Sequence, residues 1–155
     1  GGICRITDIQ TAPLDNMPAD RLYYVMQSIH DQNGVIYVPV DSDCVFLRRL
    51  LNREEAEALL ARIGSIEKVA VAIEKHRKDA YREAIRDGNP EGYVKIIKTV
   101  RARRELFRRT RRRVPDMDND FEHTAKTCLY GELSTVLGIC REEIHRIVTE
   151  GVSEE

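Results

Sequence analysis

VIYVPVDSDCVFLRRLLNREEAEALLARIG, residues 35–64, changes its periodicity part-way along. VIYVPV and CVFLRRL are β-branched and apolar, the composition of short strands. Asn52 then reads as an N-cap, REEAEALLARI carries helical spacing, and Gly64 supplies a stop. The chain is therefore expected to be α+β, with a β-rich part over 1–50 and a helical part over 51–155.

Toward the N-terminus, ICRITDIQT and RLYYVMQSIHD read as two further strands, separated by the loop APLDNMPAD. Asn33-Gly34 is a tight-turn signal that joins YYVMQSI to VIYVPV as an antiparallel hairpin. Pro39 cannot donate to a ladder, so it belongs at an edge or a strand end. Four short strands of this kind predict a small curled sheet or partial barrel.

Toward the C-terminus, Ser65 is expected to cap a helix to about Arg86, with Ile66, Val69, Ala70 and Ile73 in its inner stripe. Asn89-Pro90 opens the next helix as N-cap and N1 proline, and Val114-Pro115 stops it. Asp118 or Asn119 caps a fourth helix ending near Gly138, and CREEIHRIVTE forms a last one to Gly151. The expectation is a bundle of about five helices.

An apolar content of 42% suffices for a packed core. No apolar run of about 18 residues is present, so no membrane span is expected, and GGICRIT lacks the features of a secretory leader. Cys4, Cys44, Cys128 and Cys140 form no CxxC pair, so they read as free thiols in a reducing compartment and a metal site is not expected. There is no HExxH, P-loop, GxGxxG or nucleophile motif, which points away from an enzyme and from a bound cofactor.

Charge is the feature that points to a partner. Formal net charge is only −1, yet residues 75–113 carry 15 Lys/Arg against 5 Asp/Glu, while the rest of the chain carries 10 against 21. RARRELFRRTRRR, residues 101–113, holds eight arginines and one glutamate. On a helix over 90–113, Tyr93, Ile96, Ile97, Val100 and Phe107 share the core-facing sector. Lys95, Lys98, Arg101, Arg108, Arg109, Arg112 and Arg113 fall on the side and back, and Arg104 and Arg111 at the edge of the apolar sector. The preceding helix adds Lys75, Lys78, Arg82 and Arg86. So much like charge needs a polyanion, and nucleic acid held by its backbone is the expectation.

Four segments in order, YYVMQSIHDQNGVIYVPVD, LLNREEAEALL, YREAIRDGNPEGYVKIIKTVRARR and YGELSTVLGICREEI, resemble the CarD/CdnL family of bacterial transcription regulators. The resemblance implies an N-terminal Tudor/SH3-like barrel, as in transcription-repair coupling factor, that docks on the RNA polymerase β subunit. The docking edge maps to Val35, Ile36, Tyr37, Val38 and Pro39. It also implies a helical module that touches promoter DNA near the upstream edge of the transcription bubble and modulates open-complex stability, in the cytoplasm and on the nucleoid. The DNA-facing positions are then Lys75, Arg77, Lys78, Arg82, Arg86, Lys98, Arg101, Arg108, Arg109 and Arg112. Relatives begin with an extra strand, whereas this chain starts at Gly1-Gly2. The expectation is a barrel without its first strand, with homodimer formation or strand swapping through the open edge. Actinobacterial relatives carry a Trp wedge. This chain has no Trp, and AIEKHRKDAYREA places Arg77 and Lys78 near that position.

Two other functions fit parts of the sequence. A pure protein adaptor would use the β module and leave the arginines solvated, and an RNA- or ribosome-associated binder would use the arginine run alone. Polymerase retention separates the first two from the third, and salt-dependent DNA binding separates the first from the adaptor.

Overall fold

A computed structural model describes residues 2–12, 14–31 and 33–153. Pro13 and Gln32, in the two loops of the β-rich part, lie outside the described residues. The chain divides into two compact units, Gly1–Leu47 and Arg48–Glu155.

The first unit is an open antiparallel sheet of three strands in the order β1-β2-β3, with β1 Cys4–Thr11, β2 Leu22–Ser28 and β3 Val35–Pro39. Ile6 pairs with Met26 and Ile9 with Tyr24, and the register shifts between Ile6 and Asp8. Tyr24 pairs in turn with Val38, and Met26 with Ile36. Strand alternation therefore puts Ile6, Ile9, Tyr24, Met26, Ile36 and Val38 on one face. Met26 and Val38 are buried at its middle, while Ile6, Ile9 and Ile36 around them are about half exposed. Pro39 ends β3, an edge strand, where its missing N–H breaks no ladder.

β2 and β3 pair as the hairpin reading expects, but their connection runs from 29 to 34 and is no two-residue turn. Asp31 Oδ1 accepts from the Asn33 amide at 3.0 Å, and Gly34 does not take the left-handed conformation. The short Asx-type bond replaces the primed turn. CVFLRRL forms no strand. Arg48 is drawn instead to the helical unit, where its guanidinium donates to both carboxylate oxygens of buried Glu132, at 2.8 and 2.5 Å, and to the Gly88 carbonyl at 2.8 Å. The Leu51 amide donates to the same carboxylate at 2.9 Å.

The second unit holds five α-helices: α1 Arg53–Ala61, α2 Arg77–Ile85, α3 Pro90–Arg109, α4 Asp116–Leu137 and α5 Arg141–Ser153. α1 opens with a reciprocal capping box between Asn52 and Glu55. Asn89 and Pro90 open α3, as the motif requires. α4 starts at Pro115-Asp116, earlier than Asp118, and Gly138 at φ 69° ends it. α5 continues past Gly151, whose bare Cα faces the Ile63 side chain. No described helix is long and apolar enough to cross a membrane.

The expected helix from Ser65 to Arg86 is corrected. After α1 comes a 3-10 turn, Ile63–Ser65, and a second one, Glu74–His76, leads into α2, while the segment between them is not helical. Ile66, Val69, Val71 and Ile73 are β-branched, which weakens helix in so short a stretch. Ile66 and Ile73 take extended dihedrals, and the Val69 amide donates to Thr99 Oγ1 on α3 at 2.8 Å. The segment is thus a strap tied across α3.

α2 runs antiparallel to α3, as the DGNP turn predicts, and Gly92 makes the close approach possible. A Cβ at that position would collide with the Ala84 carbonyl. The core is one cluster built on Leu59, Tyr81, Ile96, Leu129, Leu133 and Ile144, to which α1–α5 all contribute.

Candidate nucleic-acid interface

Most basic residues of 75–113 fall into three groups, and among the described residues the third holds exposed cations with no acidic partner. The first group is internal. Lys98 is 1% exposed and donates to the carbonyls of Ile63, Gly64 and Ile66 at 3.1, 2.8 and 2.7 Å. It satisfies carbonyls left open at the end of α1 and its 3-10 turn. Arg77 is buried, donates to Glu74 at 2.9 Å and lies over the Tyr81 ring. Arg101 reaches the C-terminal turn of α5, donating to the Thr149 carbonyl at 3.1 Å and to Ser153 Oγ at 2.7 Å. The expectation that Arg77 and Lys98 present free charge to DNA is therefore corrected, while Arg101 is half-buried and, among the described residues, bonded only to neutral acceptors. Each side chain reaches a carboxylate or carbonyl that needs a cation.

Arg103, largely buried, belongs to the same network, and Arg104, about half exposed, is tied to its edge. Arg103 donates to Glu74 at 2.7 Å, and its Nε lies 3.1 Å from Asp118 Oδ1, out of line for a hydrogen bond. Tyr81 Oη donates to the same fully buried Asp118 carboxylate at 2.6 Å. Arg104 pairs with buried Glu122 and donates to Asn119 Oδ1 at 3.2 Å. Hydrogen bonds from Arg77, and then from Arg103, hold the Glu74 carboxyl down at about 2. Burial, with Asp118 next to it, pushes the Tyr81 phenol up to about 12. Burial alone raises Glu122, but the bonds from Arg104 and Lys126 outweigh it and hold it below its ordinary value.

The second group sits at the Gly88 end of the α2–α3 pair. Arg82 is 3.5 Å from Asp79, and Arg86 is 3.4 Å from Glu83 and 3.6 Å from Asp87. These exposed local pairs carry little net charge, and they stand at the opposite end of α2 from Lys75 and Lys78.

The third group gathers where α3 ends and α2 begins, two places brought together by the Glu74–Arg103 bonds. Lys75 and Lys78 are exposed there. Arg108 and Arg109 are exposed and share one acid, Glu105, at 2.9 and 3.2 Å, which their bonds hold at about 2. The helix does not continue to Arg113. Thr110 caps it, the Arg111 amide donates to the Arg108 carbonyl at 3.2 Å, and the Arg112 amide to the Phe107 carbonyl at 2.8 Å. That bonding pattern is a Schellman turn, with Arg111 in the left-handed position at φ 54°. Arg112 lies over the Phe107 ring, 5.3 Å from its centroid. Among the described residues, Lys75, Lys78, Arg111 and Arg112 have no acidic partner.

A cavity of about 310 Å³ opens beside this turn, lined by Arg104, Arg108, Arg112, Arg113, Val114 and Asn119. Arg104 and Arg108 also line a larger groove of about 550 Å³ that continues over α4 and α5, past Lys126, Tyr130 and His145. Arg113 and Asn119 line the cavity, and Arg111 precedes them in the turn, but none of the three is in the DNA-facing set that the resemblance implies. The run TRRR followed by VP, with no acid, is the signal that marks them.

On the β unit, Val35 and Ile36 are exposed and Tyr37 and Pro39 half-buried, whereas Val38 is 6% exposed and packs into the sheet. Val38 can take part in an edge contact only through its backbone. Among the described residues, no group of three or more His, Cys, Asp and Glu side chains is placed to hold a metal ion. Compared with protein-family models the chain matches none, and the comparison with curated proteins finds no match.

Proposed function

We propose that this protein is a transcription regulator of the CarD/CdnL type, a non-enzymatic factor that works on the nucleoid. The three-strand sheet is read as the body of a Tudor-like module that docks on the RNA polymerase β subunit through the β3 edge. The helical unit lays its cationic end on the phosphate backbone of promoter DNA near the upstream edge of the bubble and so modulates open-complex stability. The observation that carries the reading is the gathering of unpaired Lys75, Lys78, Arg111 and Arg112 at one end of the helical unit. A neutral protein with many acids to spare leaves these cations without one. A second support is the exposed edge strand VIYVP, which offers backbone donors and acceptors to a partner strand.

Binding of this kind is weak in isolation, roughly 10⁻⁴ to 10⁻⁶ M at physiological salt. Docking on polymerase supplies the effective concentration that makes it useful. The test is retention of RNA polymerase by the full chain, followed by open-complex lifetime with and without it. Tyr37→Glu should lower retention while leaving the helical unit folded. Equal retention by both proteins, or a lifetime that ignores the protein, refutes the reading.

A further inference from the structure

We propose that the Schellman turn ending α3 is a phosphate-binding site, and that a nucleic-acid backbone phosphate seats in the cavity beside it. The proposal rests on the nucleic-acid reading above and gives it a specific address. Two independent observations lead there. The first is the backbone at Arg111. Its left-handed φ of 54° is the position where helices prefer Gly, because a Cβ is disfavoured there. Arg111 is exposed and pairs with no acid, so neither packing nor an ion pair explains why a branchless residue is not used. The conformation does have a consequence: it folds the chain back, so that Arg112 stacks on Phe107 and Arg113 joins Arg108 in lining the cavity. Strain retained at an exposed residue is a mark of function.

The second observation is the donor set. Arg108, Arg112 and Arg113 line one concavity and exposed Arg111 adds its charge in the turn beside it, and the guanidinium is the group whose planar fork suits phosphate oxygens. Three acids approach the site. Glu122 is committed to Arg104 and Lys126, Glu105 is shared by Arg108 and Arg109, and Asp116 meets Arg113 at 3.4 Å with both side chains mostly exposed. An exposed pair as long as Arg113–Asp116 opens readily to a competing phosphate. The helix C-terminus favours cations in general, but that preference is met by Arg108 and Arg109 and does not call for a strained Arg111.

The test sets charge against strain. Arg111→Gly removes the cation and relieves the backbone, so its Tm should hold or rise, while binding to fork-junction DNA weakens. Arg111→Ala keeps the strain and should bind as weakly, and Arg111→Lys should retain most of the binding. Each lost phosphate contact flattens log K against log[salt] by about 0.9, so Arg111→Gly with Arg112→Ala should flatten it by about two units. Inorganic tripolyphosphate separates the site from its source. If it shifts the backbone amide resonances of 107–113 while DNA does not bind, the phosphate site stands and the nucleic-acid reading fails. If wild-type protein binds DNA with an unchanged slope in the double variant, the site is wrong and the broader reading survives. Binding of neither probe overturns both.

Discussion

Lys98→Met separates two accounts of the basic helix. If Lys98 lies on an outward stripe, as helical unrolling of α3 suggests, the substitution removes one DNA contact and leaves stability alone. In the structure its ammonium is 1% exposed and donates to the carbonyls of Ile63, Gly64 and Ile66. Hydrogen bonds from a charged donor contribute about 1.5–3 kcal/mol each. Three of them are offset in part by the several kcal/mol needed to bury an ammonium, which leaves a net loss of about 3 kcal/mol. Methionine fills the space but leaves the carbonyls without donors. In a folding unit of this size 1 kcal/mol corresponds to about 4 °C, so the Tm should fall by about 12 °C. Thermal unfolding followed by circular dichroism reads this directly, and DNA binding measured well below both midpoints should be unchanged. A Tm within about 1 °C of wild type, with weakened DNA binding, would refute the reasoning and return Lys98 to the surface.

Gly92→Ala should cost about 3 kcal/mol or more, because the new methyl drives into the Ala84 carbonyl and forces α2 off α3, and a lowered urea midpoint checks it. Asp118→Ala should cost about 3–5 kcal/mol, since it strands the Arg103 guanidinium and the Tyr81 hydroxyl around a buried site; Asp118→Asn should recover part of the loss in the same assay. Acid should destabilise the helical unit. Glu74 and Glu105 ionise at about 2 in the folded chain against an ordinary 4.5, so their contribution is present above 4.5 and is lost as pH falls from there through 2. Glu74→Gln should flatten that part of a Tm-against-pH curve, and an unaltered curve would show that the Arg77 and Arg103 bonds to Glu74 do not act in solution.

How much of the fold was legible follows from the range of the forces involved. Local chemistry was readable: the Asn52 and Asn89 caps, Pro90, Gly138 and the pairing of β2 with β3 all depend on residues a few positions apart. Elements decided by distant partners were not. CVFLRRL has strand composition but forms no strand, and Arg48 at its end is bonded to Glu132 across 84 positions. Residues 66–73 have an apolar spacing that mimics a helix. They are not helical, and Thr99 and Lys98, on a helix later in the chain, satisfy Val69 N–H and the Ile66 carbonyl instead. Val38 was readable as part of an edge, while its burial depends on what the face of the three-strand sheet packs.

The charge pattern shows the same division and bears on function. The surplus of acid outside 75–113 is not a separate surface balancing a basic one. Glu74, Asp118 and Glu122 fold back onto Arg77, Arg103 and Arg104, and together they weld α2, α3 and α4. Part of what composition presents as a polyanion site is thereby structural, because a guanidinium withdrawn from water, as at Arg77 and Arg103, is tolerable only with a carboxylate beside it. The rest of 101–113 divides further: Arg101 caps α5, Arg108 and Arg109 divide one glutamate, and Arg113 shares an exposed acid. What is left uncompensated is Arg111 and Arg112, with Lys75 and Lys78 at the same end of the bundle. An unpaired cation on a surface so rich in acids is a stronger indication of an absent anion than a run of arginines in sequence, since Glu74, Glu105 and Glu122 on the neighbouring turns are held by other cations. The number of phosphate contacts is accordingly set by these four together with Arg108, at about four or five, and the slope of log K against log[salt] should lie near −4. A slope near −7, as the eight arginines of the run would give if all were free, would mean that the internal pairs open on binding.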